Sequence, residues 1–192
     1  EYLFIIFIVS LHLFSSIKVA EKLNINKNVF YVFSITPFFL FFGLREGSEL
    51  LSLSLIQLCV AYLSSPKSGI FLSLATLTRY NNIIFLPLLF LKKDFKKIMN
   101  SILLFIIFFS PWLIYNFMIY GHPLMSIADN YALNIKFRDY MGNNIGLFFT
   151  NLLISMNIFI PLFLLGLYKK LKSLKQEDLS IILIFILTLI SS

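Results

Sequence analysis

Charged residues are sparse in this sequence. Asp, Glu, Lys and Arg make up 13% of the chain, about half the share of a soluble domain. Hydrophobic residues make up 59%. So few polar groups cannot cover so large an apolar content in water, which excludes a water-soluble domain. Cysteine is nearly absent. Cys59 stands alone inside an apolar run, so neither an intrachain disulfide nor a Cys/His zinc cluster is available. A glycine-rich phosphate loop, a Ser/His/Asp set and a metalloprotease histidine pair are missing as well. Acids are outnumbered by bases, nine against sixteen, for a net charge of +7. That excess does not call for nucleic acid. The bases sit in short islands between long apolar runs, where membrane orientation accounts for them.

The apolar runs cover residues 2–17, 29–44, 50–64, 69–91, 98–120, 147–168 and 179–192. A spanning helix needs about 20 residues. The chain therefore reads as all-α, a polytopic transmembrane helical bundle forming a single domain over 1–192. The first run begins directly after Glu1, and the last is too short to cross fully. Both ends lead us to expect a fragment of a longer protein, and no signal-peptide cleavage pattern is visible. Islands at 18–27, 65–68, 92–97 and 169–178 hold 12 of the 16 Lys and Arg residues. The positive-inside rule puts them in the cytoplasm and puts 45–49 and 121–146 outside. The expected location is a multi-pass protein of the cell membrane, in contact with membrane lipids.

This topology creates a parity problem. Both ends of 69–91 fall on the cytoplasmic side, and 23 residues of helix reach only roughly 35 Å, one crossing. The consistent solution is a hairpin of two short helices that turns within the membrane. Its apex would be the polar run Thr76-Leu77-Thr78-Arg79-Tyr80-Asn81-Asn82. The alternative is one straight span with a misassigned island. Arg79 cannot lose its proton, and an ionisable residue at such depth points to function.

Three stretches carry candidate chemistry. In "REGSELLSL", Glu46 and Glu49 lie three apart and share a face if helical. They could hold a divalent cation through oxygen ligands or bind sugar hydroxyls. Equally, they fit a solvated helix start with Ser48 as cap. In "LTRYNN", the planar fork of Arg79 suits a phosphate, and Tyr80 suits a sugar. The other reading is an arginine paired with a carboxylate or with carbonyls to stabilise the bundle. In "SPWLIYNFMIYGHPLMS", Pro111 is expected to weaken a helix locally. Asn116 and His122 lie towards its external end, and the aromatics also fit an interfacial belt. Weaker candidates are Asp129, Arg138 and Asp139 in a segment that reads as a surface helix, and His12 in the first run.

Taken in order, these stretches resemble the GT-C membrane glycosyltransferases, in particular the dolichyl-phosphate-mannose protein mannosyltransferase-like family. The matching pieces are Pro37 followed by Arg45 to Glu49, then "GIFLSLATLTRYNNIIFLPLLF", then "PWLIYNFMIYGHP". Ser48 stands where the family usually has Thr, and His122 where Asn is common. The resemblance covers about residues 29–125. It implies inverting transfer of a sugar from a polyprenyl- or dolichyl-phosphate donor to an acceptor on the external face. It implies Arg79 as a donor-phosphate contact, Glu49 and Arg45 near the active site, and a catalytic aspartate in a loop upstream of Glu1. The candidate substrate-binding set is thus Arg79, Tyr80, Glu49, Arg45, Asn116 and His122. Glu46 and Glu49 form a candidate pair for a divalent metal ion, with no other cofactor expected. A polytopic transporter or flippase is the alternative, because broken helices around a charge also serve transport.

Overall fold

The computed structural model describes residues 2–24, 26, 28, 47–92, 94–141, 168, 179, 182–184 and 187. These are almost entirely helical, with no strand among them. In chain order the elements are α1 (Tyr2–Leu23), α2 (Gly47–Ala61), α3 (Lys67–Thr78), a 3₁₀ segment (Tyr80–Leu91), α4 (Phe95–Tyr120) and α5 (Met125–Met141). Two of them, α1 and α4, are long and apolar enough to cross a membrane. The expected run at 29–44, with Pro37, and that at 147–168 except Tyr168 lie outside the described residues, as do Arg45 and Glu46.

Sequence-local chemistry explains where the elements start and stop. α1 contains neither Gly nor Pro and runs beyond the expected residue 17 to Leu23. Asn24 closes it in the left-handed region at φ 54°, which asparagine tolerates better than most residues. α2 already begins at Gly47, so Ser48 lies in its first turn and is not its cap. Asp94 caps α4 by accepting from the Lys96 backbone N–H at 2.9 Å. Gly121, at φ 70°, ends it by donating to the Phe117 carbonyl. α4 continues through Pro111, where a local weakening is expected. The proline has no N–H for the Ile107 carbonyl four residues back. The Ser110 hydroxyl donates to that carbonyl instead, at 2.9 Å. The "SP" pair thus repairs its own gap.

The register of contacts gives the topology. His12 meets Ser54, Ser15 meets Gln57 and Lys22 meets Ser64, each pair 42 residues apart. A constant offset means that α1 and α2 run in the same direction. Glu49 meets Arg79 and Ser52 meets Asn82, both with an offset of 30. The 3₁₀ segment therefore runs parallel to α2. Gly69 against Ser101 and Tyr80 against Trp112 share a third constant offset, so α4 runs with α3. In one direction go α1, α2 and the 3₁₀ segment; in the other go α3 and α4.

The reversal expected within 69–91 is therefore present, and its hinge is the single extended residue Arg79 (φ −144°, ψ 116°). Its arms differ. Twelve residues of α3 rise about 18 Å, whereas the twelve 3₁₀ residues rise about 24 Å. Pro87 lies inside the second arm and cannot supply the N–H of a regular α-turn.

Lys92 closes the hairpin at the opposite end. Its ammonium donates to the Ser65 carbonyl at 3.1 Å, to Ser68 Oγ at 2.7 Å and to Ser101 Oγ. Three N–H donors thus find three oxygens, joining the start of α3, the end of the 3₁₀ arm and the first turns of α4. Lys22, Lys67, Lys96 and Lys97 gather at this lysine end too. Burial pushes the Lys92 amine down from its ordinary 10.5 to about 8.

The interior is unusually rich in hydroxyls. Ser15, Ser16, Ser52, Ser54, Ser68, Ser73 and Ser101 are buried. Leu103, Ile106, Ile107, Phe117, Met118 and Ile119 on α4 are exposed. Small residues inside and large apolar ones outside is the distribution that lipid favours. The apolar core proper includes Leu55, Ile56, Cys59, Leu72, Leu89 and Phe105. Leu183 and Ile184 of the last run pack near Val60, Leu63 and Leu88.

Two predictions follow from this packing. A Cβ on Gly69 would lie 1.9 Å from the Ser101 carbonyl oxygen, whereas one on Gly121 meets nothing. Gly69→Ala should destabilise by about 1–3 kcal/mol through overpacking, and Gly121→Ala by about 1–2 kcal/mol through left-handed strain alone. In thermal melts only the first should also loosen the α3–α4 contact, read as faster amide exchange in both helices. The second concerns Lys92. Between pH 8 and 10.5 the unfolded chain holds a proton on this residue that the folded chain has released. Stability should therefore rise with pH in that window. Lys92→Met should flatten this part of a melting-temperature profile.

Candidate functional site

The end opposite the lysines collects the three stretches singled out in the sequence. From "REGSELLSL", the first turn of α2 supplies Glu49 and Ser52 follows one turn later. From "LTRYNN", the hinge supplies Arg79, Tyr80 and Asn82. From "SPWLIYN", α4 supplies Trp112.

The central contact is an ion pair between Arg79 Nη1 and Glu49 Oε1. Its position follows from the helices. Glu49 lies where the α2 dipole favours an anion, and Arg79 follows the C-terminus of α3, where a cation is favoured. Both side chains are partly open, at 45% and 40% exposure. Of the two bundle-level alternatives for Arg79, the geometry displays the carboxylate partner, and displays it at a half-open site.

Asn82 fixes the hinge beneath this pair. Its buried amide donates to Ser52 Oγ at 2.6 Å and to the Ala75 carbonyl at 2.7 Å, and its backbone N–H donates to the Arg79 carbonyl at 3.0 Å. The Ala75 carbonyl also accepts from the Arg79 backbone N–H. One side chain therefore stitches both arms of the reversal to α2. Thr76 and Thr78 turn their hydroxyls back to the Leu72 and Leu74 carbonyls, so neither presents its proton to the site.

Tyr80 leans on Trp112, ring centroids 5.1 Å apart and tilted by 44°. Trp112 continues onto Phe109 at 5.1 Å, and Phe109 onto Phe105 at 5.5 Å. The buried end of this row, Phe105 and Phe109, is core. The tyrosine end borders the ion pair through the chain. Counted along α4, Trp112 lies fifteen residues above Lys97, about 22 Å, and eight below Tyr120, about 12 Å. The ion pair thus lies below the level of the tip of α4.

The remaining candidates fall elsewhere. Asn116 is fully buried. Its amide donates to the Trp112 carbonyl at 2.9 Å and its oxygen accepts from Ser126, tying α4 to α5. His122 is exposed, and its Nδ1 accepts from the Leu124 N–H at 3.3 Å within the turn between those helices. Arg45 and Glu46 lie outside the described residues, and with them half of the candidate metal pair. The other half, Glu49, faces a guanidinium. Among the described residues no group of three His, Cys, Asp or Glu side chains is placed to hold a metal ion. His12 is buried between α1 and α2, 3.4 Å from Ser54 Oγ. Asp129 is exposed on α5, which covers the segment expected as a surface helix; the side chains of Arg138 and Asp139 are outside the described set.

Sequence reasoning missed Ser52 and Asn82 as partners and treated Trp112 as an interfacial aromatic. The signal that points to Asn82 is a second amide, after Asn81, in a run otherwise turning apolar.

No family model matches the sequence, and neither the curated proteins nor the solved structures contain a significant match.

Removing the Asn82 amide takes a buried donor from Ser52 Oγ, at about 1–3 kcal/mol, and leaves the Ala75 carbonyl with the Arg79 N–H alone. Asn82→Ala should lower the melting temperature and, by freeing the hinge, shift the emission of Trp112. Asn81→Ala, which alters an exposed neighbour, should do neither.

Proposed function

We propose that this chain belongs to an integral membrane glycosyltransferase of GT-C type, moving a sugar from a polyprenyl- or dolichyl-phosphate donor to an acceptor on the external face. The observation that supports this most is a permanently charged, half-exposed arginine at a helix reversal, below the level of the tip of α4 and next to the Tyr80–Trp112 pair. The hydroxyl-lined interior and apolar exterior support a multi-pass arrangement. The lysine end supports a cytoplasmic assignment for that side.

In this reading Arg79 binds the donor phosphate. As the sugar–phosphate bond breaks, negative charge grows on the departing oxygen. A fixed guanidinium in a site of low dielectric stabilises that charge more than water does. Tyr80, backed by Trp112, offers an aromatic face to the sugar. The acceptor hydroxyl needs a base within hydrogen-bond reach. That role is given to the aspartate that the resemblance implies, and not to Glu49. The donor's lipid tail stays in the bilayer, which favours a site open sideways between helices. The broken helix at Arg79 also favours a transporter or flippase, which would move the lipid-linked sugar without cleaving it.

Membranes containing the full-length protein, incubated with a labelled polyprenyl-phosphate hexose, separate the two readings. The transferase passes label to a water-soluble or protein acceptor, while a flippase changes only its sidedness. Arg79→Ala should cut transfer by about 10²–10³-fold, the scale of losing one transition-state donor. Arg79→Lys should retain part of the activity, because the charge remains while the fork is lost. Transfer unchanged in Arg79→Ala would remove this residue from the proposed role.

A further inference from the structure

The ion pair at the hinge uses only part of each partner. Among the described residues Arg79 binds Glu49 through one nitrogen and one carboxylate oxygen, whereas a guanidinium carries five N–H donors in a planar fork. Both side chains are close to half exposed, and open ion pairs with a single contact contribute little to stability. Glu49 has a second source of support in the positive end of α2, so it does not depend on Arg79 for its charge. Arg79 sits on the one extended residue between two helices, so neither helix face dictates the direction of its side chain. A phosphate ester offers what the single contact lacks, two oxygens that match the fork.

We propose that Glu49 is a displaceable internal counter-ion. It holds Arg79 until a phosphate ester takes the guanidinium through two oxygens, and it then falls back on its own helix terminus. This rests on the reading of Arg79 as a phosphate contact and adds the residue that the phosphate must displace. Glu49 therefore lowers the affinity for anions and keeps the guanidinium from binding adventitious ones. A structural partner would do the opposite, because its removal would leave the arginine poorly placed and weaken binding.

Trp112 is the only tryptophan in the chain, and its contact with Tyr80, next to Arg79, makes its emission a reporter of the site. The detergent-solubilised full chain is titrated with farnesyl phosphate and, separately, with inorganic phosphate. Glu49→Gln should bind farnesyl phosphate about fivefold more tightly than wild type, the upper range for release from an exposed ion pair. Glu49→Ala should show the same gain, and Arg79→Met added to Glu49→Gln should abolish saturation. An equal gain with inorganic phosphate supports the exchange with a free phosphate as ligand; a gain confined to farnesyl phosphate supports it with a lipid phosphate. Equal or weaker binding by both Glu49 variants overturns it. The two proposals fail separately. No sugar transfer with the affinity gain intact removes the transferase reading alone, and transfer without the gain removes the counter-ion alone.

Discussion

One ammonium group holds this arrangement in register. Lys92 donates to three oxygens belonging to the turn before α3, to α3 and to α4, and its own backbone ends the 3₁₀ arm. A buried cation without a carboxylate is costly; the three acceptors meet its N–H groups and offset part of that cost, and the amine still gives up its proton more readily than a free lysine. Because the foot of the reversal is fixed, the length of its arms decides how far the hinge reaches. The depth of Arg79 and its alignment with Glu49 and Trp112 are consequences of that anchor. Gly69 serves the same junction, since its missing Cβ lets α3 lie against the backbone of Ser101.

The reversal was legible in the sequence because charge and length leave little choice. A run with lysines at both ends, long enough for one crossing only, reads as folding back once the positive-inside rule is applied, and Arg79 marks the polar stretch where the chain reverses. Convergence of the three stretches at one end follows from the same parity. The partners at the hinge were not legible. Glu49 and Arg79 are thirty residues apart, and no local pattern distinguishes an arginine awaiting a phosphate from one holding a carboxylate. Ser52 and Asn82 pair by the same offset, which only the packing of α2 against the 3₁₀ arm reveals. The burial of Lys92 was hidden for another reason. It stands first in a lysine-rich island that reads as solvated throughout, and its three acceptors are spread over residues 65, 68 and 101.

The aromatic stretch shows how a residue type can mislead. Pro111 inside an apolar run suggests a weak point, yet the preceding serine restores the missing hydrogen bond and the helix continues to Tyr120. That continuity carries the tip of α4 beyond the level of the ion pair. Asn116 and His122, which the sequence grouped with the site, serve the α4–α5 corner, where a buried amide and a turn histidine satisfy backbone and hydroxyl groups.

The way the hairpin is fastened also bears on how such a chain is made. In the setting proposed above, both feet of the loop stay on the side of the membrane where the ribosome works. Neither Lys67 nor Lys92 has to be carried through the lipid, and the two arms can slide in together as a wedge. Arg79 is the single charge that must travel inward, and it arrives at a depth where α2 already presents Glu49. Under that proposal, the order in which the bundle assembles follows from which cations cross and which remain behind.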